Sequence, residues 1–310
     1  MQISILLSQQ IIKLFLMIFV GYILVKLNIL KSEDSQVISK ILLYAVMPCS
    51  VISAFLVDVT PDAVAGLKLT LIVSALLQIL LLLISHLLRR VFHLDAVELA
   101  SIYYSNSGNL ILPLVSYMLG SGWVIYACSY LCVQTVFIWS HGRTLLSGAR
   151  KFHLKDLLLN INMISVFVGL FLFISGFPLP ELLGSTIDTI GSTVGPLSMF
   201  VIGMLIADSD LKQIFTKPRI YFITFLRLIF LPLLALVILK ISGLASGSEG
   251  AKSFLLITYL AVAAPTATSV TQISQLYGHD SLYAGKINVM TTLLSIITMP
   301  MMIALFQLFL

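Results

Sequence analysis

Asn106 and Asn109 stand three positions apart in an apolar stretch, within the run Ser105-Asn106-Ser107-Gly108-Asn109-Leu110-Ile111-Leu112-Pro113. On a helix that spacing puts both amides on one face, where each can donate and accept hydrogen bonds. Gly108 and Pro113 weaken such a helix, because proline lacks an N–H and clashes with the carbonyl four residues back. In lipid the freed peptide groups need partners, so the break is tolerable only beside protein or a wet cavity. The chemistry on offer is reversible binding of a solute or ion by amides, hydroxyls and unpaired peptide groups. A structural alternative is that the two amides cap half-helices or bond a neighbouring helix, worth about 0.6 to 2 kcal/mol each.

A second stretch, 257 to 277, repeats the pattern with Pro265 followed by Thr266, Thr268, Ser269, Thr271 and Gln272. A half-helix beginning at Pro265 would aim its first N–H groups and partial positive charge at the membrane midplane, which favours a carboxylate. Its hydroxyls can instead bond the carbonyl one turn back and bend the helix. Two interrupted polar helices, one in each half of the chain, point to a transporter's central site. Arg227 sits eight residues into a further apolar run beginning at 219. An intramembrane charge is a functional candidate by default. It can neutralise a substrate carboxylate, pair with Asp188, or snorkel to the interface. Asp188 is the one carboxylate in a span and away from the span's end, and a buried carboxyl can carry a proton; its place seven residues past Glu181 also fits the outer headgroup layer. Lys13, with Gln9 and Gln10, is a weaker candidate of the same kind, and His86 and His141 fall at cytoplasmic helix ends.

The elements that must position these residues are membrane helices. The 310 residues are 59% hydrophobic and 10% charged, with mean hydropathy +1.07, a composition that excludes soluble domains. The net charge of +5 is scattered singly or in pairs between apolar runs, which is not the footprint of nucleic-acid binding. Cys49, Cys128 and Cys132 are an odd set of thiols within spans, unsuited to a disulfide framework. Cys128 and Cys132 share a helix face but lack a nearby His or carboxylate, so no metal site is expected. Lys13 and the apolar run after it imitate a signal peptide, yet no small-residue cleavage site follows, and the segment reads as the first span.

A span needs about 20 apolar residues. Ten segments qualify, at about 3 to 26, 36 to 57, 67 to 88, 97 to 119, 122 to 141, 156 to 177, 183 to 207, 219 to 241, 252 to 277 and 283 to 309. Cytoplasmic loops are enriched in Lys and Arg. The odd-numbered connections hold thirteen such residues (Lys26, Lys31, Lys40, Arg89, Arg90, Arg143, Arg150, Lys151, Lys155, Lys212, Lys217, Arg219 and Lys286) and the even-numbered ones hold three (Lys68, Lys240, Lys252). That places both termini outside the cytoplasm. Five helices per half make a duplicated half insert upside down. Gly21 precedes Pro48 by 27 positions and Gly169 precedes Pro196 by the same 27, which supports inverted repeats over 1–155 and 156–310. No G-x-S-x-G, H-E-x-x-H or Walker-type loop occurs, so neither an enzyme nor a nucleotide-driven pump is expected.

Asn106-Ser107-Gly108, ending in Leu112-Pro113-Leu114, resembles the Asn-Thr-Gly-x-x-Gly-x-Pro segment of the auxin efflux carrier family, which includes bacterial malate and malonate permeases. The C-terminal stretch is closer still: Ala264-Pro265-Thr266-Ala267, Gln275 to Asp280, and Thr291 to Pro300. The resemblance implies an all-α fold of two inverted five-helix repeats, related to bile-acid symporters and sodium/proton antiporters. Spans one, two, six and seven would form a scaffold, often dimeric, and the other six a mobile transport domain. Helices four and nine would cross at Pro113 and Pro265, with the substrate site at the crossing and the family's Asn at Asn106. Asn109 replaces a usually apolar residue and Ile111 a common Gly, so the pocket is altered.

The expectation is a homodimeric bacterial inner-membrane transporter moving a small organic anion, a dicarboxylate such as malate, by an elevator-like shift. Asn106, Ser107, Gly108, Asn109, the peptide groups around Pro113 and Pro265, and Thr266, Thr268 and Gln272 would form the site. No cofactor is implied; coupling to Na+ or H+ is open, as is direction. The alternatives are efflux of an auxin-like hydrophobic weak acid and a membrane-embedded ligand sensor.

Overall fold

The computed structural model describes residues 2–56, 60–148, 159, 161–207, 215–246 and 250–310. Arg150, Lys151, Lys155 and Lys212 of the charge count, and the 155/156 repeat boundary, lie outside the described residues. The described chain is helical, in the order α1 (Gln2–Lys26), α2 (Ser32–Ala54), α3 (Pro61–Phe92), α4 (Ala96–Tyr103), α5 (107–119), α6 (Val124–Ser147), α7 (Ile161–Ser175), α8 (Glu181–Ala207), α9 (Pro218–Ser242), α10 (Ala251–Ala263), α11 (Thr268–Leu276) and α12 (Ser281–Phe309). Six of these, α2, α3, α6, α8, α9 and α12, are long and apolar enough to cross a membrane. Shorter apolar helices cover Leu16–Lys26, Ser107–Ser116, Ile161–Ser175 and Ala251–Ala263.

Local signals set the helix ends. The Thr60 hydroxyl accepts the Ala63 N–H at 3.1 Å and Pro61 occupies the first turn, where its missing N–H costs nothing. Arg89 and Arg90 lie in the last turn of α3, which closes on His93 at φ 51°. Asp95 and Glu98 form a reciprocal capping box at the start of α4, and Asp280 caps α12 through the Tyr283 N–H. The third apolar helix begins six positions earlier than expected, at Pro61, because the proline and its cap start it before the lipid does.

Three prolines widen the turn ahead of them. Pro48, Pro113 and Pro232 each follow a π-type turn, at Leu42–Val46, Ser107–Ile111 and Leu226–Phe230. The ring of each would meet the carbonyl four residues back, and adding a residue to the turn relieves that clash. A fourth π-type turn, Ile138–Gly142, contains no proline. There the Tyr104 hydroxyl donates to the Phe137 carbonyl at 2.9 Å, taking the place of an intrahelical donor.

Helices α1, α2, α7 and α8 pack mainly on one another. Small residues allow the approach: a Cβ on Gly21 would meet the Phe200 backbone, one on Gly203 the Ile18 carbonyl, one on Gly191 the Ser50 backbone, and one on Gly169 the Phe55 ring. The other helices gather around α10 and α12, whose inner faces are almost wholly buried.

Candidate functional site

Helices α4 and α10 both stop in the interior, and the chain then runs extended for a few residues before resuming as α5 and α11. The two extended segments cross as an antiparallel bridge between Ser105 and Thr266. Asn106 N–H donates to the Pro265 carbonyl at 2.8 Å and Ala267 N–H to the Tyr104 carbonyl at 3.0 Å. The crossing is therefore at Pro265 on one side but at Ser105 on the other. Pro113 lies eight residues further on, in the first turn of Leu112–Leu119, which corrects the expectation that the helices cross at both prolines.

A break inside a membrane protein must satisfy its own backbone, and here side chains from three helices do so. Gln134 of α6 accepts the Ser105 N–H (3.1 Å) and hydroxyl (2.8 Å), and its amide donates to the Ser105 carbonyl (2.7 Å) and to the Ser107 Oγ (3.0 Å). From α12, Asn288 donates to the Thr266 carbonyl at 2.8 Å, and the Thr291 hydroxyl accepts the Thr266 N–H at 3.2 Å. Thr266 Oγ1 donates to the Ser101 carbonyl at 2.8 Å.

Arg227 of α9 completes the set. Its Nε donates to the Ala264 carbonyl (2.9 Å), Nη1 to Ile102 (2.9 Å) and Tyr103 (3.2 Å), and Nη2 to Val262 (2.8 Å) and Ala264 (2.7 Å). A guanidinium has five N–H donors, and all five are used. Arg227 is 1% exposed and caps the C-terminal ends of α4 and α10 together. Its five N–H groups go to backbone carbonyls, so it is not paired with Asp188, one of the three roles the sequence left open beside a substrate carboxylate and snorkelling to the interface. Asp188 is exposed on α8 and accepts the Ser53 hydroxyl at 2.7 Å.

Beside the crossing lies a cavity of about 610 Å³. It runs from exposed Gln36 and Lys40 on α2 to buried Ser105 and Asn106. Among the expected site residues, Asn106, Gly108, Asn109, Thr268 and Gln272 line it. Ser107, Pro265 and Thr266 do not, and the side chain of Pro113 lies outside the described residues: Ser107 turns to Gln134, while Thr266 and Pro265 belong to the bridge. Asn109 Nδ2 donates to Thr268 Oγ1 at 2.8 Å, tying the starts of α5 and α11 together. Asn106 Nδ2, on a residue 3% exposed, has no partner among the described residues, and neither do Asn109 Oδ1 and Thr271 Oγ1. Lys40 is the one charged residue among the described lining residues. The rest of the lining is largely apolar and includes Leu43, Met47, Leu131, Trp139, Ile202 and Leu205.

Gln134, Asn288 and Lys40 are absent from the sequence reading of the site. Gln134 is a lone amide in an apolar run, and Asn288 begins a stripe with Thr291, Thr292 and Ser295 at helical spacing, so both signals were there to be read. His86 and His141, which the sequence places at helix ends, meet each other. Their Nε2 atoms lie 2.9 Å apart, and His141 Nδ1 lies 2.8 Å from the Tyr104 hydroxyl. Since that hydroxyl spends its proton on Phe137, His141 Nδ1 donates to it and His141 Nε2 accepts from His86.

The cavity lining offers amide and hydroxyl donors, two helix starts and a lysine beside apolar side chains. A family model described as membrane transport protein matches residues 6–153 and 143–303. No curated protein matches the chain.

Proposed function

The chain belongs to the membrane transport protein family, the auxin efflux carrier family of the sequence reading, and from that membership we propose that it carries a small organic anion, a dicarboxylate such as malate, across a bacterial inner membrane as a secondary transporter. The observation that carries this reading is the cavity at the crossing. Its floor holds the buried Asn106 amide, unpartnered among the described residues, and the first turns of α5 and α11, and its lining includes Lys40 but no carboxylate among the described residues. Helix N-termini attract negative charge, so the helix starts and the one charged side chain among the described lining residues favour an anion. The chain's own residues then act by binding. Asn106 Nδ2 donates to a carboxylate oxygen, Lys40 draws the anion to the rim, and Gln272 and Thr268 border the bound solute.

Ten spans in two inverted five-helix repeats, both termini outside the cytoplasm, are part of the same proposal. Reciprocal packing supports the repeats: α1 sits on α8 through Gly21 and Gly203, and α7 sits on α2 through Gly169 and Phe55. Gly21 and Gly169, Pro48 and Pro196, and Phe55 and Gly203 are each 148 positions apart. In the proposed elevator-like motion, α1, α2, α7 and α8 form a dimeric scaffold and the crossing moves against it. The cavity fits that scheme because α2 and α8 line one side and the crossing the other.

The apolar wall favours one second reading, a hydrophobic weak acid of the auxin type, whose ring would lie on Met47, Leu131 and Trp139. Uptake of radiolabelled malate into proteoliposomes, with potential, sodium and proton gradients imposed separately, tests the first reading. Saturable uptake following one gradient supports it. Counter-flow of labelled indole acetate with none of malate transfers the assignment to the second reading, and ligand binding without flux under any gradient transfers it to a sensor.

A further inference from the structure

We propose that Arg227 is the positioning residue that sets the sign of the cavity's potential, acting through the two helix ends it caps and never touching the solute. Four helix ends meet at the crossing: the C-terminal ends of α4 and α10 and the N-terminal ends of α5 and α11. Each carries roughly half an elementary charge, negative at the C-terminus and positive at the N-terminus. Left alone, the two pairs would largely cancel. Arg227 supplies one full positive charge, and its five N–H groups go to the Ile102, Tyr103, Val262 and Ala264 carbonyls at the two negative ends. The negative ends are thereby neutralised, and the starts of α5 and α11 face the cavity uncompensated.

The location of Arg227 fits that role. It lies in the π-type turn Leu226–Phe230 ahead of Pro232, is 1% exposed, and does not line the cavity. Its charge is balanced by carbonyl dipoles, since no carboxylate is among its bonded partners in the described residues. A saturated guanidinium has no N–H left for a solute, so it affects binding only through the field and through the geometry of the break.

The test rests on electrostatics and needs no substrate. Ser269, in the first turn of α11 and lining the cavity, is replaced by cysteine in the full chain after Cys49, Cys128 and Cys132 are changed to serine. The rate of alkylation by iodoacetamide, a neutral reagent, is followed against pH in proteoliposomes. A positive potential lowers a thiol pKa below its ordinary value of about 8.5. The Ser269→Cys thiol is expected to titrate below that value with Arg227 present, to stay low with Arg227→Lys, and to rise by about one unit with Arg227→Gln, the scale of a helix-end charge effect. Equal pKa values in the Arg227 and Arg227→Gln chains overturn the proposal. If Arg227→Gln does not remain monodisperse, the Arg227 chain alone decides, because a thiol titrating at or above the ordinary value overturns the proposal directly. The inference deepens the anion reading above, and the two fail separately: absent malate uptake with the thiol shift intact removes the substrate assignment and leaves this one.

Discussion

Asn106 donates its backbone N–H to the carbonyl of Pro265 at 2.8 Å, while its side-chain Nδ2, buried at the cavity, has no partner among the described residues. One residue therefore both closes the crossing and leaves a donor beside it. An unpaired buried donor costs about 1–3 kcal/mol, a cost that a bound acceptor would relieve.

The first prediction separates those two roles. Asn106→Ala deletes the unpaired amide and keeps the backbone bond, so folding should not suffer: the melting temperature is expected unchanged or slightly higher. Uptake of labelled malate should fall at least about tenfold, the loss expected for a hydrogen bond to a charged group. A variant with wild-type uptake would remove Asn106 from the site.

Gln134 should behave in the opposite way. Gln134→Leu strips partners from the Ser105 N–H, carbonyl and hydroxyl and from the Ser107 hydroxyl, all in the interior. Each buried group left unpaired costs about 1–3 kcal/mol, so the variant should lose several degrees of melting temperature or fail to reach the membrane. A fully stable Gln134→Leu protein would mean that the extended segment does not depend on that clamp.

Much of this was legible in the sequence, for reasons visible in single residues. Pro265 with its trailing hydroxyls breaks an apolar run, and the break is where it was expected. Pro113 misled because a proline frees the carbonyl four residues back, that of Asn109, and so marks a widened turn rather than a crossing. The true break at Ser105 carries no proline. Its extended shape comes from pairing with Thr266, far away in the chain, and from Gln134 on another helix, neither of which local pattern reveals. Arg227 was readable as an expensive charge. That two helix ends converge on it is a tertiary fact, and Asp188, the partner its charge suggested, is held by Ser53 instead.

The close contact of α1 with α8 gives a prediction about packing. A Cβ on Gly203 would collide with the Ile18 carbonyl and the Tyr22 nitrogen, backbone atoms that cannot turn aside. Gly203→Ala should therefore cost about 1–3 kcal/mol by overpacking. Gly184, earlier in α8, has nothing within 4 Å of the same position. There the alanine should be neutral or stabilising by up to about 1 kcal/mol, from helix propensity. Thermal unfolding of both variants in detergent checks the contrast, and equal losses would deny the close approach.

Lys40 and Arg227 are both cations near the cavity, but only Lys40 is exposed, and salt should tell them apart. Lys40 is exposed at the rim, where a charge contributes through a screened field worth about 0.2–1 kcal/mol. Lys40→Gln should raise the apparent KM for malate about threefold at low ionic strength. The difference should vanish near 1 M salt, where the Debye length shrinks to about 3 Å. The thiol shift tied to Arg227 should survive the same salt, because bulk ions do not enter its carbonyl cage. If the Lys40→Gln effect persists at high salt, the ammonium binds the anion by contact and belongs to the site itself; if the Arg227 effect disappears with salt, its charge reaches the cavity through water and not through the helix ends.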